Sequence, residues 1–435
     1  MKSTCQNTNK NCLSAKDFVT LRNSVRKEEP DFYDPEYKQK VVIVAAYGGL
    51  GYQMFRYAAA YSVARHINAQ IWIYDPSDYE DLSTDRTFGP EERDVMMLDF
   101  FNIEYGRVIN KEEHDYYLND AVRLTDQNII KPETFDHHQY FYIQDHFEYE
   151  LFFTHLSKAL KNKIYNPSKM HLAFIEEPDE EPQETVEDDP KLKKYKEKQK
   201  KNKDQKRGKK DASKKKENKK KKEVKWQDKD KEFEKEKMRE LSKEILGDID
   251  RNVMVHIRGG DFKNQTDKLL SNDYYQMALE KLSAKIPLNE MKLYVFTDDM
   301  EYAQELPFLA KYESVTNFVS DSSNQLCSID EFYLMSLFKY QIISNSDFSW
   351  WAAFLNKVDG ETVVAPLPKF GNGYFESNGD EDARNAKIAY HNKYSYPVPW
   401  WKINAFNVES TNQKSTSKDY NKKKQKKKVI VNDDL

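Results

Sequence analysis

The segment that decides the fold reads VVIVAAYGGLGYQMFRYAAAYSVARH and occupies residues 41–66. Its first six residues are a continuous apolar run, which predicts a strand buried on both faces of a parallel sheet. A glycine-rich turn follows at 48–51, and the pattern from Met54 to about His66 predicts a helix. Residues 69–74 (AQIWIY) predict the next strand. This strand–turn–helix–strand order indicates that an α/β domain begins here.

The second half of the chain repeats the alternation more clearly. Its predicted strands are 252–257, 291–297, 341–344 and 361–365. Its predicted helices are 273–284, 300–312, 329–340 and 348–356. In the first half, residues 94–106 and 140–144 predict further pieces of the first domain, and 147–161 predict a helix. Alternating strands and helices favour parallel sheets whose ligands bind beyond the carboxyl ends of the strands. The predicted class is therefore α/β, with two Rossmann-like domains facing across a cleft.

Length and composition divide the chain further. The 435 residues are enough for two or three domains. Nine of the fourteen residues at 176–189 are acidic, and 191–222 hold eighteen lysines. Such a block buries too little apolar surface to fold, so 176–228 is predicted to be a disordered insertion. The predicted parts are a flexible segment 1–39, an N-terminal Rossmann-like domain 40–175, this insertion, a C-terminal Rossmann-like domain 229–410 and a disordered basic tail 411–435.

The charge runs leave several partners open. The net charge of −4 is the average of two opposed runs and therefore says little about the folded part. A lysine-rich block can bind nucleic acid or an anionic membrane, whereas most such runs are solvated insertions. We expect no nucleic-acid partner, and association with a membrane surface stays open. The tail Lys422–Lys428 carries the same ambiguity, including a nuclear-import signal.

Cysteine content and the N-terminal residues bear on the compartment. Three cysteines are too few for a disulfide framework, and they form no Cys-x-x-Cys zinc pair. No apolar run reaches the length of a membrane-spanning helix, and the first residues show no apolar signal core. The expectation is a soluble cytoplasmic protein. The alternative is an organelle protein targeted by a weak basic presequence.

Polar residues follow the predicted strands at the ends where ligands bind. The glycines at 48–51 allow close backbone approach and point helix N-terminal amides at an anion. Arg258 leaves its strand into a double-glycine turn with Asp261 beyond it, which suits either a diphosphate or an internal Arg–Asp clamp. Asp298 and Asp299 suit a metal ion, a ligand contact or a helix cap. The residues 344–349 (SNSDFS) place small polar groups at a helix N-terminus, which is again a seat for an anion.

Taken in order, these pieces resemble the α-1,2-fucosyltransferases of glycosyltransferase family 11. Residues 48–55 (GGLGYQMF) are similar to the family's GGLGNQMF, and 98–103 (LDFFNI) to its L-D-x-F-N-I. Residues 255–261 (VHIRGGD) resemble its V-H-x-R-R-x-D, and 296–299 (FTDD) its F-S-D-D. The longest match is 333–356 (YLMSLFKYQIISNSDFSWWAAFLN). The resemblance covers about 40–165 and 250–405, on either side of the lysine-rich insertion.

The resemblance implies a GT-B-like fold and a function. The implied reaction is an inverting, metal-independent transfer of L-fucose from GDP-fucose to the 2-hydroxyl of a galactoside on a glycan, without a cofactor. Arg258 is the implied catalytic residue, and it holds the diphosphate that leaves. The implied GDP-fucose-binding residues are Gly49, Gly51, Gln53, His256, Arg258, Asp261, Asp298, Asp299, Ser346, Asp347 and Ser349.

Three positions depart from the family pattern. Gly259 stands in place of a second arginine, Tyr52 in place of an asparagine, and Asp347 in place of a threonine or serine. A charged hydrogen bond contributes about 1.5–3 kcal/mol, so loss of the second arginine predicts roughly ten- to a hundred-fold weaker catalysis. The alternative is therefore a catalytically weak or inactive descendant that binds a GDP-sugar. The general base is open, with Asp145 one candidate.

Overall fold

The computed structural model describes residues 39–76, 97–98, 101–165 and 236–406, except 127, 130, 136, 266, 321–325, 327 and 376–379. Three predicted parts, residues 1–38, 176–228 and 411–435, lie outside the described residues. The described residues form two sheets, one on each side of the position of the lysine-rich insertion, and every strand pair in both sheets is parallel. The predicted α/β class with two GT-B-like, Rossmann-like sheets is confirmed.

The first sheet has the strand order β3-β2-β1-β5-β4. Its strands are β1 (Val41–Ala45), β2 (Gln70–Tyr74), β3 (Arg107–Ile109), β4 (Val122–Leu124) and β5 (Tyr140–Ile143). Its helices are α1 (Leu50–Ile67), α2 (Lys111–Asp120) and the short α3 (Ser157–Ala159), which continues as a π-helical turn over Leu160–Ile164. All five residues of β1 are buried, as the apolar run predicts. β1 and β5 are neighbours in this sheet, so the residues that follow them emerge side by side at its carboxyl edge, where open α/β sheets bind ligands.

The second sheet has the order β11-β10-β9-β6-β7-β8. Its strands are β6 (Asn252–Ile257), β7 (Lys292–Thr297), β8 (Thr316–Phe318), β9 (Tyr340–Ile342), β10 (Thr362–Leu367) and β11 (Trp401–Asn404). Its helices are α4 (236–247), α5 (Asn272–Leu282), α6 (Met300–Gln304), α7 (Pro307–Ala310), α8 (Ser328–Met335), α9 (Asp347–Phe354) and α10 (Glu381–Tyr394). Counted from β6, this is the strand order of the dinucleotide-binding fold. Its switch point lies between β6 and β9.

Two predicted helices are wrong in their extent. The helix predicted at 300–312 is two short helices, because Pro307 supplies no N–H and instead occupies the first position of α7. The helix predicted at 147–161 is mostly 3₁₀ turns, at Glu150–Phe152 and Thr154–Leu156. Phe147, Phe152 and Phe153 are all buried there. Their spacings of five and six residues do not fit one helical face.

Aromatic packing joins the two halves. The ring of Phe55 in α1 lies 4.7 Å from Trp350 and 4.9 Å from Trp351 in α9, measured between ring centres. Phe153 stacks on Trp351 at 5.3 Å. Both tryptophans are fully buried and belong to the core. Because one apolar core contains residues of both sheets, α1 and α9 hold the two carboxyl edges next to each other.

Candidate functional site

The switch point of the second sheet brings together the ends of β6 and β9. Val255 pairs with Ile342 in the parallel ladder, so the residues after both strands emerge at the same edge. His256 lies there with 5% exposure, and its Nδ1 is 2.8 Å from the Ser344 hydroxyl. Burial, and then the charge of Arg258, lower the pKa of His256 to about 3. His256 is therefore neutral at pH 7 and tied to β9 through Ser344.

Arg258 is held in place by two carboxylates. Its Nη1 is 2.5 Å from Asp298 Oδ2, and its Nη2 donates to Asp261. The side chain is 16% exposed, so it reaches solvent at the sheet edge. The internal Arg–Asp clamp that the sequence left open is thus present. A guanidinium has five N–H donors, and two of them serve this clamp, so donors remain for a ligand.

The neighbouring acids have structural partners as well. The backbone N–H of Gly259 donates to Asp298 Oδ1 at 2.8 Å. Burial raises the pKa of Asp298, with Arg258 acting against it. Asp299 caps α6 by accepting from the backbone N–H of Tyr302 at 3.0 Å, and it pairs with Lys263. The helix-cap reading of one of these acids is therefore confirmed for Asp299.

The space beside Gly259 explains the missing second arginine. A Cβ at this position would lie 2.8 Å from the Tyr302 ring and 2.8 Å from Asp299 Cβ. Both atoms belong to α6, and Asp299 is held there by its capping hydrogen bond. A side chain at position 259 would therefore have to displace this helix start. The turn is built for glycine in this chain.

The N-terminus of α9 lies at the same edge. Ser346 is its N-cap and accepts from the backbone N–H of Phe348 at 3.3 Å. Ser349 is fully buried, and its hydroxyl is 3.2 Å from the Ser346 carbonyl oxygen. The helix dipole and the first-turn amides favour an anion here. Of the predicted polar residues, Ser346 and Asp347 lie at this terminus, whereas Ser349 points into the protein.

The glycine-rich turn after β1 lies at the carboxyl edge of the first sheet. Gln53 is fully buried; its Nε2 donates to the Gly48 carbonyl at 2.8 Å, and its Oε1 accepts from Met97 N–H at 2.9 Å. Gly49 is the N-cap of α1, and nothing lies within 4 Å of a Cβ built there. A Cβ on Gly51 would lie 2.6 Å from the Asp347 backbone. The sequence predicted that this turn lets the backbone approach a ligand closely, whereas the space beside Gly51 is filled by the start of α9.

A buried lysine joins the two edges. Lys369, after β10, is 1% exposed; its Nζ lies 3.0 Å from Glu148 Oε2 and 2.5 Å from Asp347 Oδ1. Glu148 follows β5 of the first sheet, and Asp347 begins α9 beside the second sheet. The ion triad Glu148–Lys369–Asp347 therefore crosses between the two halves. Lys369 also reduces the repulsion that Asp347 would exert at the expected diphosphate seat, since it supplies one counter-charge there.

One ammonium cannot neutralise two carboxylates. Burial opposes ionisation of Glu148, but attraction to Lys369 prevails and lowers its pKa to about 2. Burial, and then the charge of Glu148, raise the pKa of Asp347 to about 6 although Lys369 acts in the opposite sense. The triad as a whole carries one excess negative charge when both acids are ionised. Asp347 is the acid that takes up a proton first as the pH falls.

Further acids lie at the carboxyl ends of β4 and β5. The backbone N–H of Asp126 donates to Asp145 Oδ2 at 3.0 Å. Burial, followed by the charges of Asp145 and Glu148, raises the pKa of Asp126 to about 7. Asp126 Oδ1 is buried without a hydrogen-bond partner. The sequence pointed to Asp145, whereas the structure singles out Asp126, whose carboxyl pKa is raised.

The described residues contain neither a cluster of metal-ligating side chains nor a helix that could span a membrane. No group of three or more His, Cys, Asp or Glu side chains is placed to hold a metal ion. No helix in the described part is both long and apolar enough to cross a membrane.

Sequence reasoning missed three residues that the structure puts at these edges. They are Lys369, Glu148 and Arg56. Lys369 follows a predicted strand, which is the rule that singled out Arg258, but a lone lysine in LPKF carried no motif. Arg56 lies inside a predicted helix, where nothing in the pattern separates it from a surface arginine.

Comparisons with known proteins complete the site. Residues 215–389 match Glycosyl transferase family 11. The alpha-1,2-colitosyltransferase of Escherichia coli is 31% identical over 154 residues, covering 31% of this chain and 51% of that protein. The O-antigen biosynthesis glycosyltransferase WbnK of Escherichia coli is 30% identical over 137 residues, covering 30% and 43%. The chain spans about half the length, or less, of these curated relatives.

Solved structures give a weaker likeness. The fucosyltransferase NodZ from Bradyrhizobium has a TM-score of 0.38 at 13% identity, covering 73% of this chain and 94% of that one. A mutant of Arabidopsis thaliana FUT1 in complex with GDP has a TM-score of 0.37 at 11% identity, covering 83% and 79%. Both TM-scores lie below 0.5, so the assignment rests on the sequence matches. They confirm the resemblance seen in the motifs, and the match to Glycosyl transferase family 11 extends over residues 215–389.

Proposed function

We propose that this protein transfers L-fucose from GDP-fucose to the 2-hydroxyl of a galactoside, with inversion and without a metal ion. The match to Glycosyl transferase family 11 and the α-1,2 linkage in the name of one relative support this choice. Because that relative is a colitosyltransferase, a colitose donor belongs in the test as a second arm. The acceptor is proposed to be a galactose-containing glycan.

The position of Arg258 carries the proposal. It stands at the switch point of a sheet with dinucleotide-binding order, beside the N-terminus of α9. Breaking the bond to the donor sugar leaves positive charge on the sugar and adds negative charge to the diphosphate. A guanidinium fixed beforehand by Asp261 and Asp298 needs no reorganisation as that charge develops. Arg258 thus stabilises the transition state more than the bound donor.

The α9 terminus supplies the second source of positive potential. Its free backbone amides and the helix dipole act on the same diphosphate. The Lys369 ammonium partly offsets the negative charge of Asp347, which acts to repel that anion. Residues of the chain thus supply the charge stabilisation that a divalent cation provides in other transferases. Activity is therefore expected to be unchanged by EDTA.

Inversion needs a base for the acceptor hydroxyl. Asp126 is the proposed base, because a pKa of about 7 matches the pH at which proton transfer is most efficient. It lies on the first sheet, which is the proposed acceptor side. Asp126→Asn is expected to lower kcat by about 10²–10⁴-fold and to remove the acidic limb of the pH profile. An unchanged kcat would assign the base elsewhere.

The competing proposal is a weak or inactive descendant that binds a GDP-sugar. The replacement at Gly259 favours it, since α6 fills the space of a second arginine. Calorimetry with GDP, run beside a transfer assay, separates the two. Binding without transfer supports the descendant, and binding with transfer supports the enzyme.

The decisive experiment incubates the full chain with GDP-fucose, or a colitose donor, and a panel of galactosides, and detects product by mass. Arg258→Ala is expected to lower kcat/KM at least about a hundred-fold, as the loss of two charged hydrogen bonds predicts. Arg251→Ala is the matched control, because Arg251 is 53% exposed and pairs only with surface acids. Full activity of Arg258→Ala would end the assignment.

A further inference from the structure

A second arginine is buried at the edge of the first sheet. Arg56 in α1 is 1% exposed. Its Nη2 donates to the Tyr47 hydroxyl at 2.6 Å and lies 3.5 Å from His146 Nδ1. The guanidinium carbon is 4.0 Å from the centre of the Tyr47 ring. These contacts engage only one of its three nitrogen atoms by hydrogen bonding.

The other two nitrogens have no partner. Arg56 Nε and Nη1 are buried and make no hydrogen bond. In the described part of the chain, no carboxylate lies within ion-pair distance of Arg56. A buried charge without a counter-ion is costly, and buried arginines are normally paired. The Tyr47 ring offsets part of this cost by about 2 kcal/mol or less. Among the described residues, the buried guanidinium of Arg56 therefore has no counter-ion.

The nearby acids are already engaged. Glu148 and Asp145 are close enough to His146 to raise its pKa, although burial lowers that pKa overall. Glu148 has Lys369 as its counter-ion, and Asp145 accepts the Asp126 N–H. Neither acid forms an ion pair with Arg56.

The location is that of a ligand site. Tyr47 lies two residues beyond β1, and His146 lies three residues beyond β5. These two strands are parallel neighbours in the sheet, and open α/β sheets bind ligands beyond the carboxyl ends of their strands. Tyr47 is 37% exposed, and the Tyr52 ring meets His146 edge-on at 4.5 Å. The guanidinium thus lies beneath aromatic side chains that reach solvent and that suit the apolar face of a sugar ring.

From this geometry we infer that Arg56, Tyr47 and His146 form an acceptor subsite for a sugar that carries a carboxylate, such as a uronic acid. The inference rests on the proposed function and specifies its acceptor. The carboxylate supplies the missing counter-charge and accepts from the unpaired N–H groups of Arg56. The Tyr47 hydroxyl, which accepts from Arg56, keeps its own hydrogen to donate to the same group. A neutral galactoside leaves the guanidinium unpaired.

The test compares methyl galacturonide with methyl galactoside, which differ at C6 alone. Binding of each to the full chain is measured by calorimetry without donor. The acidic sugar is expected to bind about ten- to a hundred-fold more tightly, the range for one charged hydrogen bond. Arg56→Gln should abolish the preference, and Arg56→Lys should retain part of it. Arg65→Gln is the matched control, since Arg65 is an exposed arginine of the same helix.

The outcomes separate this inference from the proposed function. Equal binding of the two sugars by the unmutated chain overturns the subsite, and needs no variant to fold. An acid preference that survives in Arg56→Gln, with GDP affinity unchanged, also overturns it. Transfer of fucose to the neutral sugar alone overturns the subsite and leaves the fucosyltransferase standing. Acid-selective binding that Arg56→Gln abolishes supports the subsite even where no transfer occurs.

Discussion

Removing the ammonium of Lys369 is the sharpest test of how the two halves are joined. In Lys369→Met, Glu148 and Asp347 lose a partner at 3.0 Å and 2.5 Å and stay almost buried, at 13% and 10% exposure. Breaking a buried ion pair by deleting one member costs about 3–5 kcal/mol, because an uncompensated charge is left behind. We expect the free energy of unfolding at pH 7 to fall by about that amount.

The assay is urea unfolding of the full chain at pH 7 and pH 5. The loss should shrink at pH 5, because protonation removes the uncompensated charge. Combining Lys369→Met with Glu148→Gln and Asp347→Asn should recover most of the stability, since a neutral triad has no charge to compensate. Lys387→Met, at an exposed lysine of α10, is the control and should change stability by less than about 0.5 kcal/mol. A Lys369→Met loss as small as the control's would refute the reasoning.

Four further predictions concern the same edges. The pKa of Asp347 is raised to about 6, so ionisation of this carboxyl group destabilises the fold as the pH rises from about 4 to 6. In Asp347→Asn, the free energy of unfolding should rise by up to ~3 kcal/mol at pH 7 and stay unchanged at pH 4. An equal effect at both pH values would contradict this. Gly51→Ala places a Cβ 2.6 Å from the Asp347 backbone and should lower the free energy of unfolding by about 1–3 kcal/mol. In the control Gly247→Ala, the new Cβ meets nothing within 4 Å, so this change should be neutral or stabilising. Equal effects of the two changes would show that α1 and α9 are not in contact. The pKa of His256 is lowered to about 3, so below about pH 6.5 this side chain is protonated in the unfolded chain but not in the folded one. The free energy of unfolding should therefore fall as the pH drops below about 6.5, and His256→Asn should make this fall smaller. The measurement is urea unfolding at pH 7 and pH 5. An unchanged slope in His256→Asn would assign the acid sensitivity to other groups. Ser344→Ala should cost about 1–3 kcal/mol at both pH values by leaving Nδ1 unpaired, and no cost would mean that the 2.8 Å contact contributes nothing.

Sequence pattern predicted the long, fully buried strands well. β1 is a continuous apolar run and β6 is mostly apolar, and both were placed to within one residue. The three-residue strands β3, β4 and β8 were missed, because so few residues show neither alternation nor a continuous run. The helix α10 was missed for another reason: only His391 in it is buried, so it shows no apolar face.

The site was predictable where a residue ends a strand. Arg258 and Ser346 were found by this rule, and both lie at the switch point. What the rule could not give is the partner of each side chain. Pairing of Lys369 with both Glu148 and Asp347 depends on contact between distant parts of the chain, which no local pattern contains. The same holds for Arg56, whose significance is a lack of partners in the folded protein.

The central claim is that the Arg258 guanidinium meets the diphosphate of the nucleotide. It is tested most directly by calorimetric affinities of GDP and guanosine for the unmutated chain, Arg258→Ala and Arg251→Ala. The account predicts that GDP binds more tightly than guanosine, and that Arg258→Ala lowers this advantage by about ten- to a hundred-fold while guanosine binding is unchanged. Arg251→Ala should keep the full advantage. An Arg258→Ala protein that still prefers GDP by the original factor would contradict the account.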